Sequence, residues 1–381
     1  MANGMTATGQ TAEAAVPRPP APLRAAAPGP RQFDLTLVPS RRFDIIDVTG
    51  RLRREHGDAL APFRRVAYCS LHTTAGFLEQ SLLARLEHRR DRLDPFMRAF
   101  LKLFPAGGPY RHDQMENRCE LSDEQRRVEP PNADSHLAFI GSGLRNCVTY
   151  RHRPGEPVYF LELDGIHEQV TRTRRTRILA FNREEVAASA ALDVPVSRHT
   201  VDSINLADPR LGVLELAEDL IGRHGVERGR IDLTLEAAER DAGITVNEYE
   251  TLLMRHDLME VLRDPFRHLT ARGRSLLRDP ASIPIKSLDY AKYDAVHLLN
   301  EIMDALKLSE TSLARLLTRI VAVPAQRFLR LKRHVSLLVS EPAGGGTPGL
   351  VRGTYQSPIL VQWAAVPRRA RTLRITLTRF R

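Results

Sequence analysis

The chain has 381 residues, 42% of them hydrophobic and 27% charged. That is long enough for two domains and rich enough in apolar residues for packed cores, which excludes a wholly disordered, collagen-like or fibrous protein. Lys and Arg total 56 against 46 Asp and Glu, a net charge of +10. A field of that sign attracts nucleic acid, phosphates and anionic metabolites without choosing among them. No uncharged apolar run approaches the ~20 residues that span a bilayer, so no membrane partner is expected.

Residues 1–31 are rich in Ala and Pro and are expected to form a disordered tail, lacking the apolar core of a signal peptide. Order is expected from Phe33, where Phe33 to Val38 alternates with the period of a half-buried strand. A second strand follows at Phe43–Val48, then a short polar helix at 49–56. Arg65 to Leu71 is the strongest strand, and it runs directly into His72. Helical spacing covers 80–103, with a break expected at Pro95. Residues 105–131 read as loop. Cys147–Tyr150 and Pro157–Leu163 flank an Arg-Pro-Gly turn and read as a hairpin, and Val170–Phe181 reads as a further strand. From about residue 184 to 333 the pattern reads as helical, with segments at 211–224, 235–242, 246–259, 293–306 and 312–320. A Pro/Gly-rich linker at 341–349 leads into strand texture at the C-terminus. Three cysteines, Cys69, Cys119 and Cys147, with no CxxC spacing, argue against a disulfide framework and fit a reducing cytoplasm.

Three histidines stand in polar, turn-like settings: His72 in His72-Thr73-Thr74-Ala75-Gly76, His112 in Tyr110-Arg111-His112-Asp113, and His136 closing Asn132-Ala133-Asp134-Ser135-His136. They are far apart in sequence and form no local metal motif. They are either three unrelated imidazoles or a set that converges on a metal with an open position, with Asp113 and Asp134 as acceptors orienting the rings. Thr73 and Thr74, and Gly141-Ser142-Gly143, read either as tight turns or as groups facing a phosphate. Glu162 and Asp164 share one strand face and serve either as acid/base groups or as an ordinary strand end before Gly165.

In this order, His72-Thr73-Thr74-Ala75-Gly76, Tyr110-Arg111-His112-Asp113, Asn132 to Leu137 and Glu162-Leu163-Asp164-Gly165 resemble the secondary thiamine-phosphate synthase (YjbQ-like) family over about residues 33–182. The resemblance implies an α+β fold with a mixed or antiparallel sheet, a homotrimer, and a metal or anion site at His72, His112 and His136 holding a divalent ion such as zinc. It also implies a weak transferase activity that makes thiamine phosphate from phosphorylated small molecules. On that reading Thr73, Thr74, Asn132 and Ser142 bind the substrate, and Glu162 and Asp164 are catalytic. The sequence departs from the family at several places. The family's Asn-Glu after the His-Thr-Thr run is Gln80-Ser81 here, its Lys two residues after the third histidine is Ala138, and its Pro-Arg after Asp-Gly is Ile166-His167. Its Gly-Thr-Trp-Gln-Gly run is missing from the hairpin. A similar run, Arg352-Gly353-Thr354-Tyr355-Gln356, stands near the C-terminus. Residues 350–381 are therefore expected to form a family-type hairpin, which either completes the 33–183 domain across a mostly helical domain or insertion at 184–340, or is a partial second copy.

The rival reading is a nucleic-acid-binding regulator. Residues 233–245 and 308–317 have helix-turn-helix texture, and Arg327, Arg330, Lys332, Arg333 and His334 form a basic stretch suited to phosphates. A structural oligomer with a decayed catalytic shell is the third possibility.

Overall fold

The computed structural model describes residues 28–168, 170–263, 331–342 and 344–381. The expected tail up to residue 27, the helices at 293–306 and 312–320, the run at 308–317, and Arg327 and Arg330 lie outside the described residues. In chain order the first half comprises β1 (Arg31–Leu37), β2 (Asp44–Asp47), α1 (Val48–His56), β3 (Arg65–Ser70), β4 (Ala75–Gly76), α2 (Gln80–Arg85), α3 (Arg90–Leu103), α4 (Asp123–Val128), α5 (Ala133–Ser142), β5 (Cys147–Arg151), β6 (Tyr159–Glu162), β7 (Ile166–His167), β8 (Val170–Thr171) and β9 (Arg174–Phe181). The second half comprises β10 (Glu184–Pro195), β11 (Asp202–Asn205), α6 (Val213–His224), β12 (Gly229–Leu235), β13 (Ala242–Asn247), a π-helical turn at Leu253–Asp257 running into α7 (Leu258–Arg263), β14 (His334–Ser340), β15 (Gly349–Val351), β16 (Ser357–Gln362) and β17 (Ala370–Phe380).

The fold is α+β, and the described ladders of three or more residue pairs are all antiparallel. One sheet has the order β1-β9-β3-β5 and a second the order β10-β17-β12-β14-β15. Two small sheets have the orders β2-β6-β4 and β11-β16-β13. The second half thus repeats the strand order of the first, step for step, with β15 added at one edge.

Local chemistry accounts for the elements that frame the site. β1 turns Phe33, Leu35 and Leu37 inward, as its alternation predicts. The Asp47 side chain caps α1 by accepting from the Gly50 N–H at 2.8 Å, one of the donors a helix start leaves unpaired. All ten residues of α5 are buried, so its polar members must find partners inside the protein. It ends at Gly143 in a left-handed conformation with φ of 75°, which glycine adopts at little cost. The two large sheets meet through a small apolar cluster in which Phe181 of β9 stacks on Phe380 of β17, with ring centroids 3.8 Å apart.

Several expectations are corrected. Residues 184–333 are not helical throughout: β10, β11, β12 and β13 lie there, and 235–242 is a turn between two strands. The helix-turn-helix texture at 233–245 is the end of β12, that turn and β13. Helix propensity was overridden by ladder pairing with β14, β16 and β17, a usual outcome where both faces of a strand are covered. The helical break in 80–103 comes at Glu87 and His88, both at positive φ, while Pro95 sits inside α3. β5 and β6 enter different sheets and form no hairpin. The C-terminal strands likewise form no hairpin with each other and no ladder with the strands of 33–182: β16 pairs with β11 and β13, and β17 with β10 and β12. The C-terminal run therefore completes the second set of sheets rather than the first.

Candidate functional site

His72 leaves the end of β3 on a loop held at several points. The Gln356 amide donates to the carbonyls of Ser70 at 3.0 Å and His72 at 2.8 Å. A side chain at Gly353 would meet the Leu71 carbonyl at 1.9 Å, so only glycine lets the 353–356 turn approach this closely. The His72 Nε2 accepts from the Arg175 N–H at 2.7 Å, and Nδ1 lies 3.4 Å from the Arg174 guanidinium. Burial, and then Arg174, Arg175 and Arg172, drive its pKa down to about 3, so the ring is neutral in a positive local potential.

His112 and His136 pack edge to face, with ring centroids 5.4 Å apart. His112 Nδ1 lies 2.8 Å from a Glu250 carboxylate oxygen, and Nε2 lies 3.1 Å from the Asn132 side-chain oxygen. Asn132 donates through its nitrogen to Asp164, so its oxygen does face the ring. Both His112 nitrogens thus donate. Burial alone would lower its pKa, but the Glu250 bond outweighs this and raises it. His112 and Glu250 form a buried ion pair, and Glu250 is held below the usual carboxylate range despite burial, chiefly by His112.

His136 differs. Its Nδ1 lies 2.6 Å from the Asn247 side-chain oxygen. Asn247 donates through its nitrogen to the Thr73 carbonyl, and its oxygen also accepts from the Glu248 N–H. The amide is therefore fixed with oxygen toward the ring, and His136 carries its proton on Nδ1. Nε2 is buried and has no hydrogen-bond partner among the described residues, and it sits 3.6 Å from Glu248. Burial, followed by the charge of His112, holds His136 well below its ordinary pKa, while burial raises Glu248.

The other expected site residues fall as follows. Thr74 accepts from Arg174 at 3.2 Å. Asp164 accepts from Asn132 and pairs with Arg172 at 2.9 Å, its second oxygen being unpartnered among the described residues. Glu162 is fully buried in a two-point ion pair with Arg174, where it holds the guanidinium in place. Ser142 is the last residue of α5, and its hydroxyl donates back to the Ala138 and Phe139 carbonyls, so it brings nothing to the site. His136 lies on a buried helix rather than in a turn. Asp113 accepts from the Asn132 and Ala133 N–H groups at the start of α5, and Asp134 pairs with Arg42. The groups that orient the rings are instead Asn132, Asn247 and Glu250.

As arranged, the three imidazoles do not fit a shared metal. His112 presents two donors, the His72 Nε2 lone pair is taken by a main-chain N–H, and only His136 keeps an open lone pair. Among the described residues no group of three or more His, Cys, Asp and Glu is arranged to hold a metal ion.

What the residues do enclose is a cavity of about 470 Å³ lined by His72, Thr73, Thr74, Arg118, Asn132, Asp164, Arg172, Arg174, Glu248 and Tyr355 among others. Its lining brings the threonines, Arg172 and Arg174 together with Glu248, which contacts both Arg118 and His136. Asn247, Glu248, Glu250, Asp257 and Gln356 were missed as site residues by sequence reasoning, although Asp257 accepts from the Arg111 and His112 N–H groups. One signal was available: Asn247-Glu248 follows Ala242-Gly243 at the spacing at which Gln80-Ser81 follows Ala75-Gly76.

No known family model matches the chain. A UPF0047 protein of Archaeoglobus fulgidus is 28% identical over 158 residues, which is 39% of this chain and the whole of that protein. Among solved structures, a YbjQ-like protein of unknown function from Sulfolobus solfataricus is 16% identical and covers 52% of this chain and 99% of its own, with a TM-score of 0.27. An uncharacterised conserved protein of the YjbQ/UPF0047 family from Clostridium acetobutylicum is 18% identical and covers 39% of this chain and 98% of its own, also with a TM-score of 0.27.

Proposed function

We propose that this YjbQ-like (UPF0047) protein binds a phosphorylated small molecule in the cavity beside His72. The observation that carries the reading is that Thr73, Thr74, Arg172 and Arg174 line one cavity beside His72, which burial and then Arg174, Arg175 and Arg172 keep neutral. Arginine forks and hydroxyls match phosphate oxygens, and partial enclosure strengthens each contact relative to open water. The phosphate sits against those four residues, and the remainder of the molecule reaches toward Glu248. Transfer chemistry of the thiamine-phosphate-forming kind is compatible with this layout, with Asp164 or Glu248 accepting a proton; Glu162 is committed to Arg174. A divalent ion is not required by this arrangement.

Two described cations of the rival nucleic-acid-binding stretch are engaged within the fold. Lys332 pairs with Glu79, and Arg333 donates to the carbonyls of Leu235, Glu236 and Glu239.

The test is calorimetric titration with thiamine phosphate and with inorganic pyrophosphate. Saturable binding that weakens about tenfold in a Thr73→Ala, Thr74→Ala double variant is expected, the scale of one or two lost hydrogen bonds. Binding of both probes that is indifferent to the double variant removes the reading.

A further inference from the structure

We infer that the chain is one fold written twice, and that it carries a single composite site: the first copy supplies His72, His136 and the anion-facing wall, and the second supplies Asn247 as the positioning residue that leaves the His136 Nε2 bare beside Glu248. What enters the cavity rests on the phosphate reading above; the division of the site between copies does not.

Three independent registers align the copies. Glu162 of β6 stands between Asp44 and Ala75, as Gln362 of β16 stands between Asp202 and Ala242. The isolated bridge Phe77–Arg145 is matched by Ile244–Lys332. The buried Arg174 bonds Glu162, and the buried Arg371 bonds Gln362. The curated relative is spanned in full by 39% of this chain, about the share that one copy occupies. With Ala75 aligned to Ala242, Gln80-Ser81 of the first copy corresponds to Asn247-Glu248 of the second. An Asn-Glu pair thus stands in the second copy where the first has Gln80-Ser81, and it touches His136 of the first copy.

The losses are complementary. Where the first copy has His72-Thr73-Thr74 before Ala75, the second has Glu239-Arg240-Asp241 before Ala242. Its buried arginine, Arg371, spends its donors on Gln362, Glu239 and the carbonyls of Arg240 and Ala364, all within the second copy. In the first copy, Gln80 exchanges hydrogen bonds with the Arg151 main chain. The contact is thus head to tail: the histidine side of the first copy meets the Asn-Glu strand end of the second, whereas Gln80-Ser81 of the first meets no histidine of the second's 239–241 loop, which carries Glu239-Arg240-Asp241 instead. Such a contact makes one site from two copies. The site is also complete within one polypeptide.

Within this site Asn247 acts through His136. Its oxygen accepts from Nδ1, so the ring is locked with its buried Nε2 bare, 3.6 Å from Glu248 of the cavity lining. The Thr73 carbonyl, held by the same amide, ties the phosphate-facing loop to that orientation.

Nitrogen-15 long-range correlation spectra of histidine-labelled protein test this directly. His136 is expected with a protonated Nδ1 and a bare Nε2 in the native chain. Asn247→Asp should retain that tautomer, Asn247→Leu should lose it, and Gln80→Ala should leave it untouched. Titration with inorganic pyrophosphate should give one binding site per chain, weakened about tenfold by Asn247→Leu. A native His136 protonated on Nε2, a tautomer indifferent to Asn247→Leu, or two equivalent pyrophosphate sites per chain overturns the proposal. Absence of pyrophosphate binding counts against the phosphate reading alone, and the tautomer of the native chain then decides the composite site.

Discussion

Two regions of equal topology, β1–β9 and β10–β17, carry the same strand order and the same buried arginine, yet only the first kept its imidazoles. In the first, Arg174 faces a carboxylate, Glu162, at the floor of an open cavity. In the second, Arg371 faces the neutral amide of Gln362, and the loop above it carries Glu239 in place of a histidine. The scaffold role of the arginine, joining a strand end to the neighbouring small sheet, survives in both. The difference teaches that the fold and the site were retained by separate constraints. Packing accounts for the arginine in both halves, whereas His72 stands only in the half where the loop lines the cavity.

The comparison can be broken most sharply at the arginines. Arg174→Met leaves Glu162 buried with only the Asp164 N–H as partner, and removal of one member of a buried pair costs about 3–5 kcal/mol. Arg371→Met leaves Glu239 still bonded to Arg368 and the Thr372 N–H, so its cost should be nearer ~1–3 kcal/mol. Urea unfolding of both variants measures the contrast, and equal losses would deny that the two arginines differ. Next in size, Phe380→Ala removes the ring stacked on Phe181 at the junction of the copies. It should cost about 3 kcal/mol and separate the unfolding of the two halves in calorimetry.

A subtler contrast lies in pH dependence. The native pKa of His72, about 3, lies below its ordinary value of 6.5. Between those values the unfolded chain binds the extra proton, so stability falls as pH falls through that window. His112 has the opposite sign: its pKa is raised, its contribution is full below 6.5, and it is lost as pH rises through the native value. His72→Gln should therefore flatten the acid limb of the midpoint temperature against pH, and His112→Gln the limb above 6.5. Substitutions at the corresponding loop of the second copy, such as Arg240→Gln, should change neither. The smallest effect is expected at Ser81→Ala, an exposed position whose counterpart Glu248 is a site residue. Its stability should stay within about 0.5 kcal/mol of the native chain.

Much of the first copy was legible in the sequence because its strands alternate cleanly and its short motifs keep their order. Phe33, Leu35 and Leu37 all turn inward as the period demands. The second copy was obscured where Leu235 to Ala242 carries good helix formers in what is a turn between strands, a local preference that distant pairing overrode. The histidines were found, but their roles were not. Spacing cannot report which ring nitrogen holds a proton, and that depends on Asn132, Asn247 and Glu250, the last two more than a hundred positions away. The hydroxyl of Ser142 was misjudged for a related reason, since a Gly-Ser-Gly run does not disclose that a helix continues through it.

The clasp of Gln356 over the His72 loop spans 284 positions. At the usual ~5–20 residues per second of synthesis, His72 leaves the ribosome roughly 15–60 s before the residue that fastens its loop. Until then the carbonyls of Ser70 and His72 lack the amide that joins them in the folded chain, so the first half is synthesised before its histidine loop is fastened.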